Sequence, residues 1–119
     1  MSKYPRYTAD QVFRMYYTIN ASKYQNTLDG IMDAVCDHYK LHKVDVVQTK
    51  SRVRELTIAR QLFTHIARER GYMVKHVTNY LNLHHTSILY FEKSSAIMME
   101  MYPEILQDVV TIKSKIKKA

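Results

Sequence analysis

The sequence predicts an all-α protein of about six helices that contains a helix-turn-helix. Only two glycines and two prolines occur in 119 residues, so few tight turns interrupt the helices. Through most of the chain, apolar residues recur at three- and four-residue spacing, as on one face of a helix. With this length and 46% hydrophobic residues, we expect one compact domain with its own core.

Residues 1–30 are predicted to form a tyrosine-rich extension with one short helix, and residues 31–119 the main domain. Thr8 can cap the short helix, and Asp10 lies in its first turn, where the helix dipole favours a negative charge. The preferred role of the tyrosines is partial packing on the core. The two alternatives are a protein interface and stacking on bases. The apolar face carries Val12, Met15, Tyr16 and Ile19, and the tyrosines are Tyr4, Tyr7, Tyr16, Tyr17 and Tyr24.

The main domain is predicted to begin with one long and one short helix. The first helix has Thr27 or Asn26 as its possible cap and ends near Lys40. Residues 44–47 can form only a turn or two of helix, and residues 48–54 are predicted to form a polar, basic loop. The first helix presents the stripe Leu28, Ile31, Val35 and Tyr39.

The strongest apolar stripe predicts a helix from about Arg54 to Arg70. Gly71 is suited to end it, because glycine adopts the left-handed conformation that commonly follows a helix. The apolar stripe consists of Leu56, Ala59, Leu62, Phe63, Ile66 and Ala67. The opposite, polar face is predicted to show Arg60, Gln61, Thr64 and Arg68.

A short stripe follows and is separated by a tight turn from the next helix, as in a helix-turn-helix. Asn82 lies where many such units have glycine, and asparagine tolerates the left-handed conformation. His84 or His85 then begins a helix that turns Ile88, Phe91 and Ser95 inward. The short stripe is Val74, Val77 and Leu81, and the outward residues of the second helix are His85, Thr86, Ser87 and Tyr90.

The last part of the chain predicts a continued helix and a final one. Pro103 fits the first turn of the final helix, where its missing N–H is harmless. The preceding pattern runs through Ile97, Met98 and Met101, and Met98, Met99 and Met101 are interpreted as core filling rather than a binding groove. The final helix presents Ile105, Val109, Ile112 and Ile116.

Positive charge is concentrated in one segment. Residues 50–75 hold seven Lys/Arg and two Asp/Glu, a net charge of +5 in a chain of net charge +7. Alternating Lys50, Arg52 and Arg54 can follow a phosphate backbone, and an arginine can enter a narrow minor groove. A solvated charge run is the commoner meaning of such a segment alone. Beside a helix-turn-helix, it favours a polyanionic partner.

No constellation of catalytic or metal-binding residues stands out. His38 and His42 have i, i+4 spacing but no well-placed third ligand. Cys36 diverges from His38 on a helix, and Asp33 and Asp37 are interpreted as a helix surface rather than an acid–base pair. No phosphate-cradling glycine loop occurs. We therefore expect no metal, no cofactor and no enzymatic activity.

Cysteine content and hydropathy indicate the cellular compartment. The single cysteine, Cys36, permits no intramolecular disulfide and fits a reducing, cytoplasmic setting. The first residues contain no apolar run like a signal peptide, and no stretch approaches the roughly 20 apolar residues of a membrane helix. The expected partner is double-stranded DNA, and the sequence does not indicate an oligomeric state.

From residue 31 to 116 the chain resembles the C-terminal DNA-binding domain of the bacterial replication initiator DnaA. The family's opening helix and short turn are similar to the segment IMDAVCDHYKLHKVDVV of this chain. The family's basic loop and long helix are similar to the segment KSRVRELTIARQLFTHIARE. The family pattern there is K-R-x-x-x-[IV]-x-x-[AP]-R-Q-x-A-[MI]-x-L-[AL]-[KR]-E, and Arg60-Gln61 and Arg68-Glu69 fall on its strongest positions. HHTSILYFEK lies where the family has D-H-[ST]-T-V-x-[HY]-[AG]-x-x-K, and the direct matches are assigned to His85, Thr86 and Lys93, with Ser87 and Ile88 as conservative replacements. EILQDVVTIKSKI resembles the closing helix.

The resemblance implies a division of roles. The signature histidine and the two positions after it contact bases in the major groove, an arginine of the basic loop enters the minor groove, and the long helix contacts phosphate. The candidate base-contacting residues are His84, His85, Thr86 and Ser87. The candidates for the backbone or the minor groove are Lys50, Arg52, Arg54, Arg60, Gln61, Arg68, Lys75 and Lys93.

Three departures from the family are visible. The signature aspartate is His84, and a glycine-glycine-arginine turn is shortened to Asn82-Leu83, so an arginine that assists base contacts is missing. The ATPase module of the initiator is absent. We expect a stand-alone module, consistent with a phage or mobile-element protein, that binds duplex DNA sequence-specifically in replication control or transcriptional regulation. The alternative is an interaction module that uses the same scaffold to bind another replication protein.

Overall fold

The computed structural model describes residues 23–49 and 53–118. Over these residues the fold is helical, and the all-α prediction is confirmed. The predicted helix near Thr8–Ile19 lies outside the described residues, as do Lys50 and Arg52. The helices are α1 (Leu28–Tyr39), α2 (Lys43–Val47), α3 (Arg54–Glu69), α4 (Val74–Leu81), α5 (His85–Met101) and α6 (Pro103–Ser114).

Helix α3 forms the centre of the domain. It packs mainly against α1 and α5, and α2, α4 and α6 also contact it. Nine of its 16 residues are buried, including Phe63, whose ring stacks on that of Tyr80 in α4 with centroids 5.2 Å apart. Five helices contribute the following large, fully buried apolar side chains: Ile31, Met32, Val35, Leu62, Phe63, Ile66, Val77, Ile88 and Ile112.

The residues before α1 are held against the C-terminal end of α6. The Tyr24 N–H donates to the Lys115 carbonyl at 3.0 Å, and the Lys117 N–H donates to the Tyr24 carbonyl at 2.8 Å. Thr27 caps α1, since its Oγ1 accepts from the Gly30 N–H at 3.0 Å. A Cβ at Gly30 would lie 2.0 Å from the Gln25 carbonyl oxygen. Glycine is therefore required where this segment crosses the start of α1.

Polar side chains tie α4 and α2 to α1. The Tyr80 hydroxyl donates to Asp29 Oδ1 at 2.6 Å, and Lys43 Nζ lies 2.9 Å from Asp29 and 3.1 Å from Asp33. The hydrogen bond from Tyr80, with that from Lys43, lowers the pKa of the Asp29 carboxyl. Helix α4 is thus anchored near its C-terminal end to α1.

Helix α3 ends as its sequence predicts. Gly71 has φ of +97°, in the left-handed region. The Tyr72 N–H donates to the Ala67 carbonyl at 3.0 Å, and the Gly71 N–H donates to the Arg68 carbonyl at 3.1 Å. This pair of bonds is a Schellman motif, which satisfies carbonyls that the helix leaves without partners.

The helix-turn-helix consists of α4, Asn82-Leu83-His84 and α5. Asn82 has φ 52° and ψ 47°, so the prediction of a left-handed asparagine is confirmed. The Leu83 N–H donates to the Thr78 carbonyl at 3.2 Å, which closes α4. Lys40 adopts the same conformation after α1, which was not predicted, because lysine has no preference for it.

The last two helices confirm part of the predicted pattern. Val109, Ile112 and Ile116 are buried, and Pro103 begins α6. The interpretation of Met101 as core filling is wrong, because it is 63% exposed, and Ile97 is also exposed. At about 100° per residue, both lie on the side of α5 opposite the fully buried Ser95.

We predict that Asn82→Ala lowers the free energy of unfolding by about 1 kcal/mol, because a Cβ without a compensating side chain is disfavoured in the left-handed conformation. Asn82→Gly is the matched control and should be at least as stable as the wild type, since the Asn82 side chain is exposed and packs little. Urea denaturation of the three proteins measures both changes. Equal stability of the alanine variant and the wild type would contradict the assignment.

Candidate nucleic-acid interface

The first turn of α5 brings the four predicted base-contacting residues together. His84, His85 and Thr86 are exposed, and Ser87 is half-buried. The next residue, Ile88, is fully buried and holds this turn on the core. The predicted outward orientation of His85 and Thr86 is therefore confirmed, whereas their contact with bases stays a prediction.

His84 sets the start of the helix. Its Nδ1 accepts a hydrogen bond from the Thr86 N–H at 3.3 Å and lies 3.0 Å from Thr86 Oγ1. The rings of His84 and His85 have centroids 4.4 Å apart. The first turn contains no acidic residue. A helix N-terminus without a carboxylate offers its positive dipole end to an anionic partner.

Three predicted phosphate-binding residues are exposed. Arg54 begins α3, Lys75 lies in the first turn of α4, and Lys93 lies on α5. Within residues 23–49 and 53–118, none of the three forms an ion pair. Their charges are thus available to a polyanion.

Arg60 is not on an exposed face, and that prediction is wrong. Its exposed fraction is 7%. The Nε–H donates to the Val46 carbonyl at 2.8 Å, and Nη2 donates to the Thr49 carbonyl at 2.8 Å. Burial lowers the pKa of the Arg60 guanidinium, which nonetheless stays charged at neutral pH. Helix α2 and the residues after it cover this side of α3, and the helical pattern of α3 alone does not reveal that cover.

Gln61 and Thr64 are also buried, contrary to the predicted polar face. The Gln61 amide donates to Ser94 Oγ at 3.0 Å, and the Thr64 hydroxyl donates to the Arg60 carbonyl at 2.8 Å. Counted along the family signature, the lysine position falls on Ser94, one residue beyond Lys93. Gln61 and Ser94 thus join α3 to α5.

Arg68 is partly exposed but has partners. It forms an ion pair with Glu92 of α5, and its Nη1 donates to the Tyr72 carbonyl at 2.9 Å. The predicted outward position of Arg68 is confirmed. Because Glu92 neutralises much of its charge, Arg68 offers less to a polyanion than Arg54, Lys75 or Lys93.

An open groove joins α5 to the ends of the basic loop. Its volume is about 450 Å³, and its walls include Thr49, near the start of the basic loop, and Ser87 of α5. Thr57 and Tyr90 also line it and were not among the predicted site residues. Thr57 lies one helical turn after Arg54, a spacing that could have indicated it. The remaining lining residues are Arg60, Leu83 and Phe91.

His38 and Cys36, which were weighed as a metal ligand and a nucleophile, take part in the hydrogen bonding and packing of the domain. His38 Nε2 lies 3.0 Å from Asp108 Oδ1, and the Tyr39 hydroxyl donates to Asp108 Oδ2 at 2.9 Å. Burial raises the pKa of the Cys36 thiol to about 11. Within the described part of the chain, no cluster of three or more His, Cys, Asp or Glu could hold a metal, and no helix is long and apolar enough to span a membrane.

The sequence profile of the family described as bacterial dnaA protein helix-turn-helix matches residues 28–94. The chain belongs to this family. The match covers more than half of the sequence and runs from the start of α1 into the middle of α5. It includes the groove and the first turn of α5. Neither the curated proteins nor the solved structures contain a match. The family is a DNA-binding helix-turn-helix domain rather than a catalytic one.

The His84 cap leads to a stability prediction. His84→Asp, which restores the residue of the family signature, should raise the free energy of unfolding by about 0.5–1 kcal/mol at pH 7.5. A carboxylate is a better N-cap acceptor than imidazole and interacts favourably with the helix dipole. His84→Ala should lower it by about 0.5 kcal/mol.

The control is His85→Ala, since Thr86 takes its cap bond from His84 and not from His85. It should leave stability unchanged when the four proteins are compared by urea denaturation. A His84→Asp variant no more stable than His84→Ala would show that the cap bond does not form in solution.

Proposed function

We propose that this DnaA-type helix-turn-helix binds double-stranded DNA sequence-specifically, in replication control or transcriptional regulation. The observation that carries the proposal is the exposed first turn of α5. It contains no carboxylate and adjoins a groove that leads to the basic loop. Helix-turn-helix proteins place this end of the second helix in the major groove.

The side chains of the first turn suit contacts with base edges. Thr86 and Ser87 can donate and accept hydrogen bonds, and the Thr86 methyl can touch a thymine methyl. His85 is exposed beside them and can donate to the N7 or O6 of guanine or accept from an amino group. We assign base contacts to these three residues, with His84 as the cap that orients them.

Phosphate contacts are assigned to the exposed cations around α5. Arg54, Lys75 and Lys93 lie on three different helices, so that they can flank a bound duplex. Lys50 and Arg52 are proposed to extend this set along the backbone or into the minor groove. The net charge of +5 over residues 50–75 supports the assignment. A role in replication or transcription would place the protein with the chromosome in the cytoplasm.

A protein-interaction module is the competing function. In that case a protein surface would cover residues 85–90, and DNA binding would be weak and nonspecific. Leu89 and Tyr90 are 48% and 63% exposed, which suits either partner. The first turn is polar and carries no acidic residue, and residues 50–75 of the sequence have a net charge of +5. Both features favour DNA, because protein interfaces are depleted of lysine and of charge at their centre.

Salt dependence tests whether phosphate contacts contribute to binding. With the five proposed cations, the logarithm of the binding constant should fall linearly with the logarithm of salt concentration, with a slope of about −4.5. Fluorescence anisotropy on a random-sequence duplex at several salt concentrations measures the slope. Binding that is undetectable, or indifferent to salt, would refute the proposal.

Two single substitutions separate base contacts from phosphate contacts. Thr86→Ala should reduce the preference for a selected site over random DNA by roughly fivefold and leave the salt slope unchanged. Lys75→Ala, the matched control, should weaken binding to both duplexes equally and reduce the magnitude of the slope by about 0.9. Equal effects of both variants on site preference would contradict the assigned roles.

A further inference from the structure

The C-terminal end of α6 and the residues after it carry four lysines: Lys113, Lys115, Lys117 and Lys118. The first two form ion pairs with Glu69 and Asp37, respectively. Lys117 and Lys118 are exposed, and within the described part of the chain neither of them forms an ion pair. Two positive charges of this segment are thus available to a polyanion.

Two hydrogen bonds fix the backbone of Lys117. Its N–H donates to the Tyr24 carbonyl at 2.8 Å, and its carbonyl accepts from Arg70 Nη1 at 2.9 Å. Arg70 is the residue that follows α3, and its Nη2 also donates to the Lys113 carbonyl at 3.4 Å. Lys117 is therefore held between the segment before α1 and the end of α3.

This position lies beside the segment that enters α4. Arg70 Nη1 is 3.4 Å from Asn26 Oδ1, and the Tyr72 hydroxyl donates to the Asn26 carbonyl at 3.1 Å. The ring of Tyr72 contacts that of His76, in the first turn of α4, edge to face with centroids 6.2 Å apart. The same turn carries Lys75 and no acidic residue. The chain end thus adjoins the cationic start of α4.

Helices α5 and α6 explain how the chain end reaches this place. Helix α5 has 17 residues, so its last residue lies about 25 Å from its first turn. Helix α6 begins there, and its last turn reaches the end of α3, where Lys113 pairs with Glu69. In helix-turn-helix proteins the second helix enters the major groove while the first crosses the DNA backbone. Helix α6 therefore brings Lys117 back to the element expected at the backbone.

We propose that Lys117 and Lys118 contact DNA phosphates next to those assigned to Lys75, a role that rests on the proposed DNA-binding function. The flexible four-carbon stem of lysine carries a compact charge to a phosphate. Glu69 and Asp37, the carboxylates bound by the neighbouring lysines, are already paired and oppose the contact little. Both proposed residues lie outside residues 28–94, which the family profile matches, so they extend the interface beyond the family domain.

Charge removal at the two positions tests the proposal. The two lysines should add about 1.8 to the magnitude of the salt slope expected from the five cations. Lys117→Gln/Lys118→Gln should therefore lower that magnitude by about 1.8 and weaken binding to selected and random duplexes alike, by about tenfold in 0.1 M salt. Urea denaturation should show unchanged stability, because the hydrogen bonds of Lys117 come from its backbone.

Lys40→Asn is the control for net charge. Lys40 is exposed at the opposite end of α1, and asparagine tolerates its left-handed conformation. This variant should leave affinity and salt slope unchanged. A double variant with the affinity and slope of the wild type would overturn the proposal. A loss from Lys40→Asn as large for each charge removed would do so too, because net charge alone would then explain the effect.

DNA cleavage from a tethered iron–EDTA group tests the position of the chain end. The group is attached through Lys118→Cys, and labelling is selective because burial raises the pKa of the native Cys36 thiol to about 11. It should cut the selected duplex at a few adjacent nucleotides. Glu104→Cys, exposed at the start of the same helix, is the matched control and should give no cuts. No cleavage from position 118, or equal cleavage from both positions, would overturn the proposal.

The outcomes separate this proposal from the proposed function. If the wild type binds duplex DNA and Lys75→Ala reduces the slope, whereas the double variant matches the wild type, the DNA-binding function stands and the role of Lys117 and Lys118 fails. If the wild type binds no duplex, both fail.

Discussion

Helix α3 is enclosed on nearly every side, so each polar side chain that it buries must have a partner. A buried donor without one would cost about 1–3 kcal/mol. Arg60 donates to backbone carbonyls near α2, Gln61 donates to Ser94 of α5, and Thr64 donates to a carbonyl of its own helix. Arg60 and Gln61 therefore connect α3 to its neighbours, and the arrangement of α2 and α5 depends on these two connections.

Helix α3 holds both the first turn of α5 and Thr49, the residue before Lys50. Gln61, together with the buried Ile88, holds α5 so that its first turn faces outward. Arg60 holds Thr49, from which the chain continues into the basic loop. Thr49 and Ser87 line the same groove, so the residue that precedes Lys50 and the first turn of α5 open onto one surface. Helix α3 thus gives the first turn of α5 and the end of α2 a common frame.

Local signals in the sequence predicted much of the fold. Gly71, Asn82 and Pro103 end or begin helices through backbone preferences that a single residue expresses, and all three predictions are confirmed. The burial of Arg60 and Gln61 was not predictable in this way. A helical stripe tells which face is apolar, but not whether a distant segment covers the polar face. The exposed first turn of α5 was located because its position follows directly from the helix-turn-helix, and its contact with bases stays a prediction.

Backbone amide chemical shifts during titration with duplex DNA test the central claim most directly. The duplex is selected from a random pool, and spectra are recorded at moderate salt. We expect the largest shift changes at residues 84–87, with smaller changes at the start of α3 and in the first turn of α4. Changes confined to α1 and α6, with the first turn of α5 unaffected, would contradict it.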